Sequence, residues 1–92
     1  MPAKLSANER LNRASQAYAQ LTHILSEIAS GMTGRQRTSA WQRANSQCHA
    51  VLTNARPLLR SGYDATNAQR QRAQQLCDHA QRSYDQAWKR LH

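Results

Sequence analysis

Two cysteines and four histidines are the residues best suited to chemistry, but their spacing predicts no metal site. Two thiols cannot close a tetrahedral zinc site, and the chain has neither a C-x-x-C nor an H-x-x-x-H pair. The histidines fall on different faces and heights of the helices predicted below; they are His23, His49, His79 and His92. We therefore expect neither a bound metal nor a cofactor.

Cys48 and Cys77 are expected to share one layer of the fold. The simpler interpretation is two small buried apolar side chains. The alternative is a redox-sensitive bridge, which requires Cα atoms within about 7 Å. A secreted disulfide framework needs more cysteines than two.

Acid–base catalysis is also poorly supported. It needs paired titratable groups in a pocket. The five carboxylates are scattered over the chain: Glu9, Glu27, Asp64, Asp78 and Asp85. We expect no enzyme activity and no small-molecule substrate.

Positive charge is the strongest functional signal. The chain has 13 Lys and Arg against 5 Asp and Glu, a net charge of +8, and eleven of the basic residues are Arg. This balance favours an acidic partner, either nucleic acid, an acidic protein surface or an anionic membrane. No apolar run approaches the roughly 18 residues that a membrane span needs, so the sequence predicts a soluble, cytoplasmic protein.

The apolar residues predict helices. Ser6 and Glu9 form a capping box, and Gly31 supplies a stop, so helix 1 is expected over roughly 7–30. Between them the apolar positions alternate in steps of three and four, as in a heptad seam: Leu11, Ala14, Tyr18, Leu21, Leu25 and Ile28.

The second and third helices are predicted with less definite starts. Capping boxes at Thr33 and Ser39 compete, so helix 2 is expected over 34–60 or 39–60, with a kink or break at Pro57. Leu58 and Leu59 are expected to face the core beyond it. Asp64 is the expected N-cap of helix 3, over 64–91.

These elements predict an all-α fold, an antiparallel three-helix bundle forming a single domain over 1–92. Short connections make consecutive helices antiparallel neighbours, and large residues on helix 1 then meet small ones on the other two. Trp41, Tyr84 and Trp88 are expected in the core, although Trp88 could instead be exposed at a partner surface. Low apolar content leaves two alternatives: a homodimer built from the same seams, or folding only with a partner.

Folding the bundle gathers basic residues at one end, where helices 1 and 3 begin and helix 2 ends. This end is expected to contact phosphates, helped by two helix N-termini. Its basic residues are Lys4, Arg10, Arg13, Arg56, Arg60, Arg70 and Arg72. The connection before helix 2, with Arg35 and Arg37, is a second candidate, although both sets could be solvated surface.

The sequence therefore predicts a non-enzymatic, nucleic-acid-associated protein, either a DNA-binding accessory factor or a subunit of a nucleoprotein complex. The helices are too long and too nearly antiparallel for a helix-turn-helix, so binding would be mostly to phosphate. The alternative is an adaptor or small inhibitor, for example of phage or mobile-element type, docking on an acidic patch of a partner protein. Membrane-surface binding ranks last because packing consumes the apolar faces.

Overall fold

The structure, a computed structural model that describes residues 5–91, contains three α-helices and one short 3-10 turn. Helix α1 spans Ala7–Ala29, α2 spans Gly34–Ala55 and α3 spans Asn67–Leu91, with the 3-10 turn at Arg56–Leu59. Each helix packs against both others. The predicted all-α three-helix bundle is confirmed, and Lys4 of the predicted basic end lies outside the described residues.

Helix α1 begins and ends close to the predicted positions. The Ser6 hydroxyl accepts a hydrogen bond from the Glu9 backbone N–H at 3.2 Å, as expected of an N-cap. The helix ends at Ala29, and Gly31 follows with φ 114°, a conformation that only glycine adopts readily. Gly34, the first residue of α2, also has positive φ, so two glycines shape this connection.

Helix α2 takes the earlier of the two predicted starts and breaks where Pro57 predicts. The α-helix stops at Ala55, and Pro57 lies in the 3-10 turn that follows. The expectation that both leucines of this turn face the core is wrong for one of them. Leu58 is fully buried, whereas Leu59 is 37% exposed. Neighbouring residues in a 3-10 turn point about 120° apart, so a single apolar face takes only one of the two.

Helix α3 begins three residues later than expected, and Asp64 is not its N-cap. The Thr66 hydroxyl accepts from the Gln69 N–H at 3.1 Å, and the Gln69 side chain accepts from the Thr66 N–H at 2.8 Å. This is a complete capping box, T-x-x-Q, which satisfies two backbone donors at once. Asp64 is exposed in the preceding loop.

The core is small and entirely apolar. Among the described residues no polar or charged side chain is buried. Eight of the nineteen described residues that are buried are alanine, and the largest fully buried side chains are Leu21, Ile28, Val51, Leu58 and Leu76. No helix in the described part of the chain is both long and apolar enough to cross a membrane.

Candidate anion-binding site

The eleven arginines all lie within the described residues, and none of them forms an ion pair there. The single close contact between a basic side chain and a carboxylate among the described residues joins His23 and Glu27, one turn apart on α1, at 3.1 Å. The positive charge of all eleven arginines is therefore not neutralised by a carboxylate of this part of the chain. Three of them donate hydrogen bonds to the protein itself: Arg10, Arg37 and Arg70.

Three predicted site residues line one groove at the loop end of the bundle, by which we mean the start of α1, the 3-10 turn and residues 60–66. Arg10 comes from α1, Arg56 from the 3-10 turn and Arg60 from its C-cap. We call this the basic groove. Its volume is about 430 Å³, and its remaining lining residues are His49, Leu52, Thr53 and Pro57.

Helical spacing brings two of these side chains to one face of the chain. Arg56 keeps a right-handed helical conformation where α2 ends, and Arg60 follows it by four residues. The 3-10 turn ends at Leu59, and Arg60 is extended, with ψ 141°. His49 joins the groove because it lies seven residues, about two helical turns, before Arg56. Sequence reasoning missed His49, and this spacing was the signal that could have found it.

Arg10 is fixed in place by a tyrosine that the sequence did not single out. Its Nε donates to the Tyr63 hydroxyl at 2.9 Å, and that hydroxyl donates in turn to the Leu5 carbonyl. The Arg10 guanidinium carbon lies 5.5 Å from the centre of the Tyr63 ring. We call this set of contacts the tyrosine clasp. It orders one cation of the basic groove before any ligand arrives.

Arg70 does not line the basic groove, and its hydrogen bonds support the loop that carries Tyr63. Its guanidinium donates to the Tyr63 carbonyl at 2.8 Å and to the Ala65 carbonyl at 3.3 Å. It therefore holds the loop between the 3-10 turn and α3. Beside it, Gln69 donates to the Asn8 side chain at 3.0 Å and ties the starts of α3 and α1 together.

Arg13 and Arg72 are exposed and do not line the groove. Arg13 lies three residues after Arg10, about one turn further along α1, so it extends the positive surface. Arg72 lies on α3, and no contact of the described residues joins it to the groove. The two helix N-termini offer fewer free donors than expected because Ser6 and Thr66 already cap them.

The second candidate, Arg35 and Arg37, lies at the other end of the bundle. Arg37 donates to the carbonyls of Met32 and Leu91, so it joins the start of α2 to the end of α3. This position favours a cation because it is the negative end of a helix dipole. Arg35 is exposed in a shallow groove that also contains Glu27 and Arg43. The fold does not bring this pair to the basic groove.

Both cysteines are buried free thiols. Burial is the main cause that raises the pKa of each thiol. A thiol with a raised pKa is a poor nucleophile and a poor metal ligand. No group of three potential metal ligands occurs among residues 5–91.

The three aromatic residues at the far end form an exposed groove instead of a closed core. Trp41 is buried and Tyr84 is half-buried, but Trp88 is 39% exposed. The Trp41 ring meets both other rings edge-on, at centroid distances of 5.8 Å and 5.0 Å. The expected core position thus holds for Trp41 and in part for Tyr84, whereas Trp88 takes the exposed position that the sequence leaves open for it.

No protein-family model, curated protein or solved structure matches this chain.

Proposed function

We propose that this protein is a non-enzymatic, nucleic-acid-associated protein that binds phosphates through its basic groove. The observation that supports it is the convergence of Arg10, Arg56 and Arg60 on one groove while no arginine of the described residues forms an ion pair. An arginine that the fold does not neutralise keeps its full affinity for an outside anion. Its planar fork also suits the oxygens of a phosphate.

Ordering of the groove strengthens this assignment. A flexible arginine loses side-chain entropy when it binds, whereas the clasp holds Arg10 in the unbound protein. The polar groups of the groove are of kinds that contact the phosphate backbone of a nucleic acid. They are arginines, a histidine and a threonine, and they lie beside apolar carbon. Such a surface would position a phosphate backbone and carry little sequence information.

The arrangement accounts for a binding role better than for catalysis. The lining of the basic groove contains no carboxylate and no thiol, so it has no acid–base pair and no buried nucleophile. Such a groove can attract and hold an anion. We therefore assign the groove to binding alone.

Binding should be measured by fluorescence anisotropy of labelled DNA and RNA, single-stranded and duplex, across a salt series. We expect log affinity to fall linearly with log salt, with a slope near 0.9 per phosphate contact on duplex DNA. The variant Arg56→Gln/Arg60→Gln should weaken binding and reduce that slope by roughly 2. Arg10 is left unchanged because it also holds the tyrosine clasp.

The matched control is Arg43→Gln/Arg82→Gln, which removes the same charge from exposed positions outside the basic groove. It should change affinity and slope much less. Equal losses in the two double variants would mean that net charge alone attracts the nucleic acid, and the groove assignment would fail. Affinity that vanishes at physiological salt would overturn the nucleic-acid function and direct attention to an acidic protein partner.

A further inference from the structure

A second groove lies at the opposite end of the bundle, between the start of α2 and the last turns of α3. Its volume is about 390 Å³. It is lined by three aromatic and three polar side chains: Trp41, Tyr84 and Trp88, with Thr38, Gln42 and Asn45. We call it the aromatic groove, and its two walls differ in chemistry.

The α3 wall is aromatic. Tyr84 and Trp88 lie one turn apart with ring planes only 11° from parallel and centroids 6.2 Å apart. Trp41 meets both of them edge-on, at 81° and 78°. Buried Trp41 therefore fixes the orientation of the wall while Trp88 stays substantially exposed. A partly exposed aromatic ring held in a fixed orientation suits stacking by a flat heterocycle.

The α2 wall is polar. Thr38, Gln42 and Asn45 follow one another at helical spacing on a single face, and all three are exposed. Each can both donate and accept a hydrogen bond. An apolar peptide side chain entering the groove would strip these groups of water without replacing their hydrogen bonds, which costs binding free energy. A nucleobase has matching donors and acceptors on its edge and a flat face for the opposite wall.

Basic residues lie at the end of α3, the helix that forms the aromatic wall. Arg37 donates to the carbonyl of Leu91, three residues beyond Trp88, so its guanidinium lies at the end of α3. Lys89 and Arg90 are exposed in the same last turn, and Asp85 is the one acidic residue among the described residues 84–91. A base that enters this groove would bring its phosphate towards a helix end with net positive charge.

From these features we propose that the aromatic groove binds an unpaired base of a single-stranded nucleic acid, by stacking on Trp88 and by hydrogen bonds to the α2 wall. The inference rests on the proposed function and adds a preference for single strands over duplex. In a duplex the bases are stacked on each other and their hydrogen-bonding edges are paired, so only a single strand presents both features together.

The test compares three labelled probes of equal length by anisotropy: oligothymidylate, an abasic strand and a duplex. The abasic strand carries the same phosphates without bases. The native chain should bind oligothymidylate about ten-fold more tightly than the abasic strand, as expected for one stacked base. Trp88→Leu should abolish that difference and leave affinity for the abasic strand and the duplex unchanged.

Two further variants keep the test decisive. Leu59→Ala alters a side chain of similar exposure at the loop end, so it should leave the preference for oligothymidylate intact. Gln42→Ala/Asn45→Ala changes only exposed side chains, so the fold should survive, and it should weaken oligothymidylate binding alone. Circular dichroism and thermal melting would verify that each variant is folded.

The outcomes separate the two proposals. Salt-dependent binding that is equal for oligothymidylate and the abasic strand overturns the base site but leaves the phosphate-binding function standing. If Trp88→Leu then has no effect on any probe, the aromatic groove takes no part in binding nucleic acid. Equal losses on all three probes in Trp88→Leu would make Trp88 a structural residue. Binding to none of the probes overturns both proposals.

Discussion

The two ends of the bundle are closed by different kinds of contact. At the loop end, hydrogen bonds from Arg10, Arg70 and Gln69 join the start of α1 to the loop before α3. At the aromatic end, Trp41 packs against Tyr84 and Trp88, and one arginine hydrogen bond is added. Two ends of one small bundle can therefore depend on hydrogen bonding and on apolar packing to different degrees.

This difference also sorts the arginines. Three of them donate hydrogen bonds within the protein, whereas the side chains of Arg56 and Arg60 line the basic groove and donate no hydrogen bond to the described residues. Net charge does not distinguish these roles, because each arginine contributes the same charge. The comparison of the ends gives a physical criterion, namely whether the guanidinium already has acceptors within the fold.

The largest effect should come from the packing that closes the aromatic end. Trp41→Ala removes a buried indole and leaves a cavity, so we expect the free energy of unfolding to fall by about 3–5 kcal/mol. Urea denaturation followed by circular dichroism measures it. Gln42→Ala, at the exposed neighbouring position, is the control. A loss for Trp41→Ala no larger than that of Gln42→Ala would show that packing does not close this end.

A smaller effect should distinguish the two tyrosines. Tyr63→Phe removes a hydroxyl that accepts from Arg10 and donates to the Leu5 carbonyl, so we expect a loss of about 1 kcal/mol in unfolding free energy. Tyr84→Phe should change the unfolding free energy by no more than about 0.5 kcal/mol. The Tyr84 hydroxyl forms no hydrogen bond to another described residue. Equal losses in the two variants would erase the contrast between the ends.

The smallest effect lies between the ends, at Cys48 and Cys77. Burial raises the pKa of both thiols above their ordinary value of 9.0. Above that pH the unfolded chain releases thiol protons that the folded chain retains, so the free energy of unfolding should decrease as pH rises. The decrease should be measured by urea denaturation in a series of buffers above pH 9.0.

The double variant Cys48→Ala/Cys77→Ala is the control for this pH dependence. It should show a shallower decrease, and the part that remains should come from other groups with a raised pKa, of which Tyr84 is one. If the native chain and the double variant respond identically to pH, the thiols ionise as freely in the fold as outside it. Melting with and without reductant tests the alternative of a redox-sensitive bridge.

Local rules were enough to predict the helices. The Ser6 capping box, the glycine stop and the break at Pro57 are each encoded within a few neighbouring residues, and the structure places helix ends at or beside them. The start of α3 was missed because two caps compete there. Asp64 is a favourable single residue, but Thr66 and Gln69 satisfy two donors together and prevail.

The site was only partly predictable, because its organisation depends on contacts between residues far apart in sequence. Arg10 and Tyr63 are 53 residues apart, and no spacing rule joins them. Sequence reasoning could gather basic residues at one end. It could not separate Arg70, which binds the loop, from Arg56, which lines the groove. The exposure of Trp88 likewise depends on how its ring packs against Trp41 and Tyr84, of which Trp41 lies on another helix.

The tyrosine clasp has a consequence for the order in which the chain folds. The helices and the α1–α2 hairpin form through contacts between residues close in sequence, whereas the Tyr63–Leu5 bond closes a span of 58 residues. Contacts of such long range are entropically costly to make early, so we expect the clasp to form after the helices have docked. Bonds that are absent from the transition state act on the rate of unfolding alone. We therefore expect the clasp to lengthen the lifetime of the native state without changing how quickly that state is reached.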